Sequence, residues 1–275
     1  MQRFAFAGRT CVITGAAGGI GAALALDLAR HHAVLVLVDR DADGLARVVD
    51  AARGLGAQAV SGEVVDLGDG GDRLDLAAAV EARHGGADLL VNNAGVALGG
   101  TFEQVSMADH DWLMAINLTA VVRTTKAFLP QLLARPGSHV VNMSSLFGLV
   151  APPGQVAYAT SKFAVRGFSE ALRHELAGRG VGVTVVHPGG VRTNIAVNAR
   201  LSGADGKLAE QTRKFNEKAL TMPPEQAARL IVAAVRSRKP RLVISRAAKA
   251  GDLLARVTPG HYWDVIARLL GPHGL

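Results

Sequence analysis

The sequence predicts an α/β fold, a parallel sheet with helices packed on both faces. One observation is the alternation of short apolar runs with longer helical segments from Thr10 to Ser245. Strands joined through helices run parallel, and the helices then cover the sheet. A second is the glycine-rich turn between the first run and the first helix, Gly15-Ala-Ala-Gly-Gly19-Ile-Gly21. The third is size: 275 residues, 49% of them hydrophobic, can bury a substantial core. No internal repeat, low-complexity tract or linker divides the chain, so residues 1–275 read as one domain.

Residues 10–14 (Thr-Cys-Val-Ile-Thr) read as a buried strand, and an Ala/Leu helix runs from about Ile20 to His31. Glycines between them allow a sharp turn and close backbone approach, while the helix N-terminus offers free amides to a phosphate. In that context the turn favours dinucleotide binding over a plain connection. The second strand, Ala33–Val38, ends in Asp39-Arg40. An acidic residue there accepts hydrogen bonds from both ribose hydroxyls of an adenosine and repels a 2′-phosphate. Arg40 is placed to attract that phosphate, so the two neighbours pull in opposite directions; Asp39 favours NAD over NADP. Capping of the next helix, the ordinary alternative for Asp39, can fall to Asp41.

A polar helix over about 41–55 precedes a third strand, roughly Gln58–Val65, which ends at Asp66. That carboxylate either contacts an adenine or caps the following turn. A helix over 72–84 leads to the strand Asp88-Leu-Leu-Val and then Asn92-Asn93-Ala94-Gly95, small and amide residues at a strand's carboxyl end. Open α/β sheets bind their ligands at that edge. Ser106-x-x-Asp109 opens a long helix to about Leu133, closed by Pro136-Gly137. Asn117 lies in its middle, where Asn is intrinsically unfavourable, and is a functional candidate for that reason. Strand five, His139–Met143, delivers Ser144-Ser145, and the apolar stretch from Leu146 to Gly154 reads as a pocket wall or a loop packed on the core.

A helix over 155–178 puts Tyr158 and Lys162 one turn apart on one face. A phenol beside a fixed ammonium ionises more easily. Strand six, Gly182–His187, is followed by Pro188-Gly189-Gly190-Val191-Arg192-Thr193 and an irregular connection reaching residue 222. Such length suits a lid, counted here from about 192. A helix (Pro224–Ser237) and a last strand (Arg241–Ser245) follow. Gly251–Leu270 reads as amphipathic, with Tyr262, Trp263, Ile266, Leu269 and Leu270 as its apolar stripe, packing on the body or a sister subunit.

Composition excludes several classes. The single cysteine, Cys11, permits no internal disulfide and sits in an apolar run as a core residue would. The nine histidines are scattered and show no metal-ligand spacing. The N-terminus is charged too early for a secretory signal, and no apolar run has transmembrane length, so a cytoplasmic protein is expected. Residues 200–275 carry 14 basic and 6 acidic groups against a chain total of +7. With no aromatic-interleaved basic motif, this reads as a solvated Arg-rich surface, neither a nucleic-acid nor a membrane site.

The motifs Thr14-Gly15-Ala-Ala-Gly-Gly19-Ile-Gly21, Asp66, Asn92-Asn93-Ala94-Gly95, Asn117, Ser145, Tyr158-x-x-x-Lys162 and Pro188-Gly189 jointly resemble the short-chain dehydrogenase/reductase family, in order and spacing, over roughly residues 7–245. The lid and the extension beyond about 246 have no such match. The resemblance implies a Rossmann-type domain with a seven-stranded parallel sheet and a catalytic tetrad. Tyr158 would be the general acid/base, and Lys162 would lower its pKa and hold the nicotinamide ribose. Ser145 would bond the substrate oxygen and Asn117 would anchor a water next to Lys162. Cofactor contacts would fall on Gly15, Ala17, Gly19, Ile20, Gly21, Asp39, Arg40, Asp66, Asn93, Ala94, Gly95, Tyr158, Lys162, Pro188, Gly189, Val191 and Thr193.

The expected reaction is hydride transfer between NAD and a secondary alcohol or ketone. The presumed walls (Leu146, Phe147, Leu149, Val150, Ile195 and Val197) are apolar and suit a steroid-, terpenoid- or acyl-like substrate. An NADPH-dependent ketone or 3-oxoacyl reductase is the alternative, motivated by Arg40 and the basic C-terminal region. A dinucleotide sensor without catalysis is a remote third, since such a protein has no need of the complete tetrad. The resemblance also implies a homodimer or homotetramer through the helices near 109–135 and 155–178.

Overall fold

The computed structural model describes residues 3–69, 73–195, 197–203 and 220–270. Residues 204–219 of the expected lid and 271–275 of the expected extension lie outside the described residues. The first strands are β1 (Thr10–Thr14), β2 (Val34–Asp39), β3 (Ala59–Val64) and β4 (Leu89–Asn92), separated by α1 (Gly19–Ala29), α2 (Ala42–Gly54) and α3 (Leu74–His84). A two-residue strand β5 (Leu98–Gly99), α4 (Met107–Met114), α5 (Ala120–Ala134), β6 (His139–Met143), α6 (Val156–Leu176) and β7 (Gly182–His187) follow. The remainder is β8 (Arg200–Leu201), α7 (Pro224–Arg236), β9 (Arg241–Val243), α8 (Arg246–Val257) and α9 (Tyr262–Leu270).

Seven strands form one parallel sheet in the order β3-β2-β1-β4-β6-β7-β9. Central strands read as continuous apolar runs because both faces are covered, and every residue of β1 is buried. β3 lies at the edge and alternates between half-buried and exposed positions. Alternation along the strands sends Ile13, Leu35, Leu37, Val141 and Val186 to one face, against Leu24, Leu28, Leu45 and Ile231. Val12, Val36, Leu90, Val140 and Val183 go to the other, against Val80, Phe128, Leu132 and Leu172. The order reverses between β1 and β4, so the loops at their carboxyl ends diverge and leave a crevice.

Three expectations are corrected. The long helix from Ser106 is interrupted by a π-helical turn over Ala115–Thr119, at the point where Asn117 sits. Such turns mark functional sites, so the local mismatch in the sequence had a structural meaning. Gly251–Leu270 is two helices broken at Thr258-Pro259-Gly260, because proline and glycine cannot carry the helix through. Leu269 is 79% exposed and so lies outside any stripe packed on the body. The last strand stops at Val243, where Ser245, at φ 83°, turns the chain into α8 and caps it by accepting from Ala248 N.

Candidate active site

The crevice is built on the β1–α1 turn. Gly15 (φ +67°) has no room for a side chain, since a Cβ would lie 2.8 Å from Ala94 Cα. A Cβ on Gly21 would overlap Gly15 O, so helix and turn close on each other only with glycine there. Asn93 locks this arrangement, its Nδ2 donating to Thr14 O and Gly15 O at 3.0 Å each. Thr14 Oγ1 accepts from the main-chain amides of Asn93 (3.0 Å) and Ala94 (3.1 Å), fastening the end of β4 to β1.

The residues present fit a dinucleotide. Gly18 faces open space, and α1 begins with no side-chain cap and no acidic residue in its first turn. Its free amides and the positive end of the helix dipole therefore suit a pyrophosphate. Asp39 stands at the end of β2 with Oδ2 accepting from Ala17 N at 2.9 Å, while Asp41 caps α2 through Gly44 N. Leu67, Ala94 and Ile116 close on one another beside Thr14, Asn92 and Thr124 in a recess too small to admit a ligand. Leu67 and Ile116 went unnoticed in the sequence because only folding sets them opposite each other. Asp66 accepts from Gly68 N at 2.8 Å, the turn-capping alternative, and Arg40 is exposed.

Other expected cofactor positions take different roles. Thr193 lies over the glycine turn, with its Cγ2 3.3 Å from where a Gly19 Cβ would stand. Val191 points into the core and pairs with Met222, so its side chain is turned from the crevice. Ile20 also packs on that core. Gly189 leaves space that Ala248 and Ser245 approach, and Pro188 O accepts from Leu146 N; both offer a ligand main chain only.

Tyr158, Lys162, Ser145 and Asn117 come together where α6 crosses the ends of β4 and β6. Lys162 is 3% exposed, its Nζ 5.6 Å from the Tyr158 ring centroid and donating to Met143 O at 3.2 Å. Gly95 lies between Asn117 and Lys162: a side chain there would come within 3.3 Å of Asn117 Oδ1 and 3.4 Å of Lys162 Nζ. Asn117 is wholly buried and its amide is engaged by Val96, accepting from N at 2.8 Å and donating to O at 3.0 Å. It therefore first holds the segment after β4 against the lysine.

Burial pushes the Tyr158 pKa up, and the nearby Ser145 hydroxyl offsets only part of this. Burial also lowers Lys162 from 10.5 to about 8. In the chain alone, desolvation governs both groups.

The residues expected to form the apolar wall point in different directions. Leu146–Gly148 form a 3₁₀ turn, so successive side chains rotate by a third of a turn. Phe147 alone packs edge-on against Tyr158, at 6.1 Å. Leu146 and Val150 face Gly251 of α8, and Leu149 is buried against the C-terminal helices, so these three pack on the extension. Val197 is 79% exposed and forms no wall; Ile195 is half-buried.

Two supports were missed in the sequence. His187 is buried, and burial lowers its pKa to about 4, so it is neutral with Nδ1–H donating to Ser145 O at 3.1 Å. Asn92 donates to Thr125 and Asn142, and Asn142 donates to Ser169, a buried chain tying β4, α5, β6 and α6 together. Fully satisfied networks of this kind rigidify what they join.

Fold and crevice define a class: a doubly wound α/β protein with a dinucleotide site at its switch point. The family model for short chain dehydrogenases matches residues 9–202. The chain is 44% identical over 265 residues, 95% of each chain, to a Mycobacterium tuberculosis protein named as the oxidoreductase SadH. It is 36% identical over 226 residues to the oxidoreductase UcpA of Escherichia coli K12, covering 79% of this chain and 84% of UcpA. A short-chain dehydrogenase/reductase from Burkholderia phymatum, solved with NAD, superposes with a TM-score of 0.86 at 32% identity, covering 93% of this chain and 95% of that one. A metagenomic short-chain oxidoreductase solved with NADP gives 0.72 at 29% identity, covering 88% and 98%. The chain belongs to the short-chain dehydrogenase/reductase family of oxidoreductases. These two solved neighbours hold nicotinamide dinucleotides, NAD in one and NADP in the other.

Proposed function

We propose that this chain interconverts a hydrophobic secondary alcohol and its ketone with NAD. One observation carries the reading: Tyr158, with the Ser145 hydroxyl near its own, stands beside buried Lys162 in the crevice that fits a dinucleotide. When bound, the cofactor supplies the acceptor or donor of the hydride. Ser145 holds the substrate oxygen, and Tyr158 removes the alcohol proton or returns it to the alkoxide. Lys162 steadies phenolate and the nicotinamide ribose, while Asn117 positions the Gly95–Val96 segment and, with it, a water next to Lys162. Phe147 supplies an apolar contact at the reacting centre, in keeping with a hydrophobic substrate.

Selection of NAD rests on Asp39, held by Ala17 N at the place a ribose reaches. Exposed Arg40 favours the second reading, an NADPH-linked ketone or 3-oxoacyl reductase. We also read the chain as one domain that pairs through α5 and α6. Among the described residues no helix is long and apolar enough to cross a membrane.

The test is turnover of a panel of hydrophobic secondary alcohols with NAD and NADP side by side. Tyr158→Phe should lose about 10²–10⁴-fold in kcat while binding NADH unchanged. Retained turnover sinks the mechanism; NADP preference selects the second reading.

A further inference from the structure

A second cavity lies away from the crevice, between α6 and the C-terminal helices. Its volume is about 310 Å³, at the lower end of small-molecule sites. Phe163 and Arg166 of α6 line it, with Asp252, Arg256 and Tyr262 of the extension and Leu149 behind the 3₁₀ turn. Arg166 is eight residues beyond Tyr158, about 12 Å along the helix axis.

The two arginines are held in a particular way. Arg166 uses Nε to bond Glu170 at 2.9 Å, and Arg256 uses Nε to bond Asp252 at 3.2 Å. Their Nη groups make no hydrogen bond among the described residues, so each fork is oriented by a carboxylate and left open. Asp252 is itself occupied on both oxygens by Arg241, at 2.6 and 3.0 Å. Three guanidiniums thus surround two carboxylates, leaving the cavity positive. Its other walls, Leu149, Phe163, Pro259 and the Tyr262 ring, are apolar. The Tyr262 hydroxyl accepts from Ala151 N at 3.0 Å, which fixes the ring and leaves its O–H as a donor.

We infer that this cavity is a binding site for a small amphipathic anion. Its carboxylate or phosphate head would bridge the Arg166 and Arg256 forks, and its apolar body would lie against Phe163 and Leu149. Planar guanidinium forks match such heads by paired hydrogen bonds, which a neutral polar group cannot reproduce. The inference is independent of the reaction proposed above, since no residue of the crevice takes part.

The test is calorimetric titration of the full chain, with NADH present, using octanoate, octyl phosphate and octanamide. Either anion should bind at least tenfold more tightly than octanamide, and the tighter of the two identifies the head group. R166Q and R256Q should each weaken the anion about tenfold, and R166K should weaken it too by losing the fork while keeping the charge. Variants must keep the parent's unfolding midpoint within a few degrees; R256Q, at an exposed side chain, serves if R166Q does not. Equal affinity for octanamide, binding untouched by the substitutions, or no binding at 10 mM overturns the inference.

Discussion

Replacing Lys162 by methionine should stabilise the fold at neutral pH while abolishing turnover. The magnitude follows from the lysine's surroundings. Burial moves its pKa from 10.5 to about 8, and at 1.36 kcal/mol per unit this is a cost of about 3 kcal/mol for holding the charge below pH 8. Methionine has similar length and no charge to bury. It forfeits the bond to Met143 O, worth about 1–2 kcal/mol including the carbonyl left behind. The net expectation is a gain of about 1–2 kcal/mol at pH 7. The sign with pH is definite, because a folded pKa below the unfolded one means the native state binds fewer protons. The cost is full below about 8 and disappears as the pH rises to 10.5. The variant should therefore lead at pH 7, and the parent should overtake it near pH 10.5, as read by urea unfolding at fixed protein concentration. A variant less stable than the parent by the same amount at both pH values would refute the desolvation argument.

Three further outcomes are expected. Asp39→Ala removes the carboxylate at the β2 end, and the NAD/NADP ratio of kcat/KM should fall by tenfold or more; an unchanged ratio means that Asp39 is not the selector. Gly21→Ala forces the turn apart because its Cβ overlaps Gly15 O, so NADH affinity should drop more than tenfold and the unfolding midpoint should fall. Native affinity in that variant would remove the turn from the binding site. His187→Leu loses the tether to Ser145 O and should lower kcat about tenfold with NADH affinity intact. His187→Asn, which keeps a donor near Nδ1, should recover most of it, and equal kcat in both variants speaks against a positioning role.

Much of the architecture was legible because its signals are local. Continuous apolar runs marked β1, β2 and β6, and the Asp41 and Ser106 caps act within a few residues of themselves. Asn117 stood out for a local reason as well, an ill-suited residue inside a helix, although the π-helical turn that explains it was not visible. The direction each wall residue takes was not legible, because apolar character says nothing of direction. Leu146, Phe147 and Val150 look alike in sequence, yet only Phe147 meets Tyr158.

The sequence by itself determined the strand and helix order, the glycine turn, the acidic end of β2 and the spacing of Ser145, Tyr158 and Lys162. These depend on periodicity, backbone freedom and helix pitch, which act over a few residues. Only the tertiary structure decided which distant groups share a site. It set Asn93 across the glycine turn, His187 behind Ser145, and Arg166 opposite Arg256. It also set how deeply Lys162 lies, and burial, a property of the packed fold, is what lowers its pKa.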